Sequence, residues 1–504
     1  MKKIIFWIPI FLIAIFLLTF KFLKVPPGIE TDEGSIAYNA ALISKTLRDQ
    51  NNRFLPFFIL STDKMDWKQP VIIYSSALFF KLFGISLPVF KLVNIVTALA
   101  SLYLMCLLLR KLFTEKLAFV GAIIFVTTPI FVIASRIGTE AISPLFFATS
   151  WLLSLALYQK NRKSLFLITS ALSLGIGFYS YKGMRLIVPP WAVLTGVYIY
   201  LLNLGEVSGY NLVKTAFNTK IQLSLLTFFI ILLPFFLITP ILESKYAGAI
   251  FDRRQFSLES YRHYIYYWLS NLELSFLFLQ GNGGKIFPVE MFGTLSLGAL
   301  PFFLVGIKRA VEKINFHTFI FFSFVVSPAF FGLAGSIEYG HRLVAVIPSF
   351  VILTTLGISV IYEYIKSNMK HSPLKKLAGQ AILVILTTFF ITHTLNFVRY
   401  YFFIYPSLHE TKEAFGNTLN TAFYKLSQIS INENLASYIQ DDVYNGYGDG
   451  VKFFEAAYFK KPLHLWKLGQ TLPPHSILIT QVKQIEGLTT VDIDAKPLYI
   501  LKSE

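Results

Sequence analysis

The sequence predicts an α-helical polytopic membrane protein of about 11 transmembrane helices with outer-face amphipathic helices, ending in a small C-terminal α/β soluble domain. Composition, loop charge and a late change in composition predict it. Of 504 residues, 55% are hydrophobic, 16% aromatic and only 14% charged, whereas about 25% are charged in an average soluble protein. Mean hydropathy is +0.59. The net charge of +17 is scattered through short loops, which fits membrane topology and argues against nucleic acid as a partner. Cys106 is the single cysteine, so no intrachain disulfide is available.

The first apolar run, Ile4 to Phe20, follows Met1-Lys2-Lys3 and leads into Lys21-Phe22-Leu23-Lys24 without a small-residue cleavage pattern. It reads as an uncleaved anchor and first span. Further spans are expected at Val89 to Arg110, Leu117 to Ala134, Ile142 to Leu157, Leu165 to Tyr179, Leu186 to Leu202 and Leu223 to Ile241. Four more follow at Met291 to Val305, Phe316 to Leu333, Leu343 to Tyr364 and Ala378 to Phe397. With the N-terminus inside, the inner loops carry Lys2 and Lys3, Arg110 and Lys111, Lys160 to Lys163, Lys214, Lys308 and Arg309, and Lys366 to Lys376. All are basic, as cytoplasmic loops should be. The odd count places the C-terminal residues outside.

Two outer regions are long enough for structure of their own. Gly34 to Arg48 puts Ile36, Ala40, Ile43 and Leu47 at helical spacing, an amphipathic helix expected along the outer surface, and Pro70 to Phe83 reads as a second. The loop from Leu242 to Glu290 carries Arg253, Arg254 and a tyrosine-rich patch suited to gating a cleft. Residues 401–504 form the expected extracytoplasmic α/β domain, after a transmembrane domain at 1–400. Within it Gly446 to Gly450 reads as a turn, Val451 to Tyr458 as a helix, and Ser476 to Ile479 and Leu498 to Leu501 as strands.

Chemistry is then expected from polar residues at outer span ends. Pro26-Pro27-Gly28-Ile29-Glu30-Thr31-Asp32-Glu33 follows the first span, and Trp67-Lys68-Gln69-Pro70 precedes a surface helix. Arg136 and Glu140, Tyr181-Lys182 with Arg185, and His341-Arg342 occupy the same side. Cations at head-group depth neutralise a lipid phosphate, while a carboxylate takes a proton from an acceptor hydroxyl. Each feature also has a plainer reading. Acidic residues favour helix starts, Arg136 and Glu140 suit an i,i+4 salt bridge, Lys68 beside Trp67 suits an interfacial anchor, and terminal arginines snorkel.

The pattern at 26 to 38, Lys68-Gln69-Pro70 with Leu82-Phe83-Gly84-Ile85-Ser86 after it, Ser135-Arg136 to Glu140, and Arg342 before Pro348 resemble the GT-C superfamily of polytopic glycosyltransferases. The closest look is to the family 39 group, with its protein O-mannosyltransferases and aminoarabinose transferases. The resemblance covers roughly residues 1 to 400. It implies sugar transfer, with inversion, from a polyprenyl-phosphate donor to a lipid, glycan or protein acceptor on the outer face of the cell membrane. Asp32 would be the general base or acceptor-orienting carboxylate, with Glu33 beside it and Glu140 in a second acidic role. Lys68, Lys182, Arg185 and Arg342 would contact the donor phosphate, and Tyr181, His341, Arg253 and Arg254 the acceptor or loop. Gln69 stands where many relatives have Pro, and Glu140 where Asp is frequent. Some relatives hold a divalent ion near these carboxylates, so metal is left open. The competing classes are a secondary transporter, which would place charges mid-span where these spans carry almost none, and a non-enzymatic membrane scaffold or flippase for lipid-linked glycans, which would tolerate loss of Asp32.

Overall fold

The computed structural model describes residues 6–61, 66–204, 219–250, 260–280, 292–334, 340–368, 373–491 and 498–503. Hydropathy located the helices well. Among the described residues seven helices are long and apolar enough to cross a membrane: Leu87–Leu112, Glu140–Asn161, Met184–Leu204, Thr219–Lys245, Phe316–Leu333, Gly340–Ser367 and Leu377–Ser407. An eighth is broken: Glu115–Thr127 and Pro129–Arg136 meet at 54°. Pro129 supplies no N–H and pushes Thr128 into an extended conformation, with ψ of 125°, so the first helix stops there. The chain is a multi-pass membrane protein. The other three expected spans are shorter helices, Ile8–Thr19, Ser164–Phe178 and Leu300–Val311, of 12, 15 and 12 residues.

Two compact units that are not consecutive in sequence make up the chain. The first holds residues 1–20, 96–135 and 140–400, the second residues 21–95, 136–139 and 401–504.

In the first unit, helices approach closely where side chains are absent. The Leu300–Val311 and Ile347–Asn368 helices bring Gly306 against the Leu353 carbonyl and Gly357 against that of Phe302; any Cβ there would collide with backbone. Trp151 and Trp191 stack at 4.4 Å, and each indole N–H is satisfied. Trp151 donates to Thr195 Oγ1 at 3.1 Å, and Trp191 donates to the Ser323 carbonyl at 2.9 Å. An apolar surround supplies no water to do this.

The second unit packs helices and sheet around a shared apolar core. Strands β1 (Ile59–Leu60) and β2 (Trp67–Lys68) form an antiparallel pair. β3 (Ala436–Gln440), β4 (His464–Trp466), β5 (Ser476–Thr480), β6 (Leu488–Val491) and β7 (Tyr499–Ser503) form a mixed sheet of order β4-β3-β5-β7-β6. Both strands expected from the sequence are present and pair with each other, β5 antiparallel to β7. The expected turn at Gly446 to Gly450 is shorter. A helix spans Asp441–Gly446, Gly448 takes φ of 57°, and the next helix, Asp449–Tyr458, already includes Asp449 and Gly450. The Thr31–Thr46 helix, expected as a free surface helix, is enclosed instead: Ile36, Ala37 and Ala40 are buried in a core that includes Val451, Phe453 and Phe423. A Cβ on Gly34 would stand 2.8 Å from the Gly450 nitrogen, so glycine permits that contact. The Pro70–Phe83 helix matches its expected bounds. Phe80 stacks on Phe453 at 6.0 Å.

Candidate active site

The Thr31–Thr46 helix opens on a capping box made of two glutamates. Glu30 accepts the N–H groups of Asp32 at 2.9 Å and Glu33 at 3.1 Å, and Glu33 Oε2 accepts the Glu30 N–H at 3.1 Å. This satisfies orphan donors of the first turn reciprocally. Burial, and then the charges of Asp32 and Glu33, push the Glu30 carboxyl well above its ordinary pKa.

Asp32 and Glu33 are neighbours in sequence with opposite surroundings, because successive helical residues point about 100° apart. Glu33 is fully buried. Its Oε2 is in the cap, and its Oε1 takes both the Lys91 ammonium and the Gly138 N–H. Asp32 keeps a side chain 56% exposed and places Oδ1 on the Lys68 ammonium. Its Oδ2 carries no partner among the described residues. The result is a carboxylate anchored at one oxygen and open at the other.

Lys68 is held in place by β2, next to Trp67, with Gln69 buried behind it and Pro70 starting the next helix. The Gln69 amide donates to the Trp67 carbonyl at 3.0 Å. The Lys68 ammonium is buried and is shared with Asp66 Oδ2 at 2.7 Å as well as Asp32. Segment 136–139 is fixed in the same unit. The Arg136 guanidinium donates to the carbonyls of Val25 at 2.7 Å and Lys21 at 3.1 Å and lies over the Phe402 ring at 5.0 Å. The Asn94 amide donates to the Thr139 carbonyl at 2.9 Å. Helix Pro129–Arg136 ends at Arg136, and Glu140 begins a 3-10 turn over Glu140–Ile142, so the pair does not share a continuous helix.

In the first unit, the turn before Met184–Leu204 and the 3-10 segment Gly340–Val346 come together. The rings of Tyr181 and His341 meet edge to face at 6.3 Å, and Arg342 Cβ lies 3.7 Å from where a Cβ on Gly183 would stand. Arg185 donates to the Ala249 carbonyl. Lys182, Arg185, His341 and Arg342, distant in sequence and all half-buried, thus belong to one neighbourhood. Glu140 is buried in this unit. Arg253 and Arg254 lie outside the described residues.

No group of three or more His, Cys, Asp or Glu among the described residues could hold a metal ion. Both oxygens of Glu33 are engaged and Lys68 sits on Asp32. These carboxylates do not offer a divalent ion a ligand set.

A family model described as dolichyl-phosphate-mannose-protein mannosyltransferase matches residues 68–238. The crystal structure of ArnT from Cupriavidus metallidurans bound to undecaprenyl phosphate is similar, with a TM-score of 0.53 and 11% identity over 99% of this chain and 97% of that one. The chain has the GT-C fold. The archaeal oligosaccharyltransferase AglB from Archaeoglobus fulgidus, in complex with an inhibitory peptide and a dolichol-phosphate, is also similar. There the TM-score is 0.53 and identity 12%, over 92% of this chain and 64% of that one. No curated protein sequence matches the chain.

Sequence reasoning missed Asp66, Lys91 and the capping role of Glu30. Lys91 had a signal. It stands inside the expected second span, Val89 to Arg110, and a charge within an apolar run calls for a buried partner. The spans are therefore not as free of charge as expected, since Lys91 is 3% exposed. Asp66 and Glu30 act locally, two positions from Lys68 and three from Glu33, and Glu30 had the capping-box spacing as its signal; the Lys68 to Asp32 pairing across 36 positions has no sequence period.

Proposed function

We propose that the chain is an inverting membrane glycosyltransferase that moves a sugar from a polyprenyl-phosphate donor to an acceptor nucleophile at the outer face of the cell membrane. The observation that carries the reading is Asp32, held by a buried lysine at one oxygen and exposed at the other. The GT-C fold supports it, as do neighbours whose bound molecules are undecaprenyl phosphate and dolichol-phosphate.

In the proposed reaction the acceptor oxygen attacks the anomeric carbon as the bond from that carbon to the phosphate oxygen breaks. The acceptor proton passes to Asp32 Oδ2, and polyprenyl phosphate leaves with the bonding electrons. Lys68 contacts the donor phosphate when Asp66 yields its place on the ammonium. Lys182, Arg185 and Arg342 form a further anion-binding group, on the chemistry of their side chains. Glu33 is a positioning residue: it fixes the start of the helix that carries Asp32. The N-terminus is cytoplasmic and residues 401–504 are extracytoplasmic in this reading, following the basic inner loops.

Membranes carrying Asp32→Asn should hold the protein at its normal level and lose transfer of labelled sugar from a polyprenyl-phosphate donor. Full activity in that variant would remove Asp32 from the reaction. Mass spectrometry of cell-envelope glycans with and without the protein would identify sugar and acceptor together.

A further inference from the structure

At the far end of the two helices that begin beside the Asp32–Lys68 pair, the second unit has a cavity of about 750 Å³. Its rim carries Lys45, from the last turn of Thr31–Thr46, Lys81, from the last turn of Pro70–Phe83, and Lys460, just past the Asp449–Tyr458 helix. No carboxylate lines it. All three lysines are exposed and make no ion pair or hydrogen bond among the described residues. Three helix C-termini converge here, and each contributes roughly half a negative charge. Three ammonium groups therefore leave the cavity net positive.

A second, apolar observation adjoins the first. On the outer face of the Pro70–Phe83 helix, Leu78, Leu82 and Phe83 are 57%, 63% and 64% exposed. Leu78 and Leu82 are one helical turn apart and flank Lys81 in sequence. An apolar stripe edged by lysines is the composition of a helix lying in the bilayer interface. In a multi-pass membrane protein, anionic phospholipid is the partner that complements both features.

We propose that this cavity binds the phosphate head group of an anionic phospholipid, with the acyl chains against Leu78, Leu82 and Phe83. Lys45 is 13 residues from Asp32 on one helix, a distance of about 20 Å, so a lipid here sets the depth of the carboxylate without touching it. The site stands independently of the transfer reaction, and its test uses no activity readout.

Full-length protein in detergent would be titrated with phosphatidylglycerol or phosphatidylcholine, and bound lipid counted by native mass spectrometry. Wild type should prefer phosphatidylglycerol. K45Q/K81Q/K460Q should bind it about tenfold to a hundredfold more weakly, with phosphatidylcholine binding unchanged, while K45R/K81R/K460R keeps the preference. Melting temperature would verify that both variants fold; should the Gln variant fail to, loss of the preference in K81Q alone would serve. An unchanged preference in the folded Gln variants would overturn the proposal. So would displacement of the lipid by inorganic phosphate alone, which would make the cavity a free-anion site.

Discussion

Two ion-paired regions at the start of the same helix differ in almost every physical respect. Around Glu33, Lys91 and Gly138 every oxygen is engaged and no side chain reaches solvent. Around Asp32, Lys68 and Asp66 the lysine is equally buried, but Asp32 stays 56% exposed with one oxygen open. Adjacent carboxylates that look equivalent in sequence thus have opposite surroundings, one half-open and one closed, and the proposed reaction gives the first the chemistry and the second the positioning.

The largest test of that contrast is Asp32→Asn, which should lower transfer about a hundredfold or more, the range of a lost general base. Its melting temperature should stay near wild type; a large drop would make Asp32 as structural as its neighbour. Next is Glu33→Gln. Removing one partner of a buried pair costs about 3 to 5 kcal/mol, so thermal unfolding should show a strongly destabilised protein, and Glu33→Gln combined with Lys91→Met should recover part of the loss. A stable but inactive Glu33→Gln would erase the distinction.

Asp66→Asn sharpens the open region. In the proposed reaction Asp66 competes with the donor phosphate for the Lys68 ammonium, and with its side chain 33% exposed the competing contact is worth about 1 kcal/mol. The KM for donor should fall by about fivefold. A rise would show that Asp66 is needed to hold Lys68 for Asp32.

The smallest effect is pH-dependent and belongs to Glu30. Its raised pKa means that the folded state binds the proton more tightly than the unfolded chain. Stability is thus fully present below the ordinary value of 4.5 and declines as pH rises through the folded value. Glu30→Gln, which keeps an acceptor oxygen for the cap, should flatten that decline in melting temperature measured upward from pH 4.5. A slope equal to wild type would assign it to other groups.

Much of the fold was legible. Apolar runs found the spans, Pro70 to Phe83 was bounded as the structure has it, and two strands of the C-terminal sheet were read from short β-type runs. The short strands β3, β4 and β6 were not, because Ala436–Gln440 and His464–Trp466 gain their conformation from parallel pairing to distant residues. Of the candidate residues, Asp32 and Lys68 were legible from their motifs and lie on each other. Lys182, Arg185, His341 and Arg342 were expected on one side of the membrane, and only the packed turn shows that the segments carrying them touch.

The sequence by itself determined that this is a multi-pass helical membrane protein and where its charges fall along the chain, because hydropathy and period are local properties. Tertiary structure alone decided which carboxylate is open. That depends on what Lys68, Lys91 and Gly138 bring from elsewhere in the chain to the two faces of one helix turn. Desolvation and pairing belong to packed neighbours, and contacts between residues far apart in the chain leave no period in the sequence.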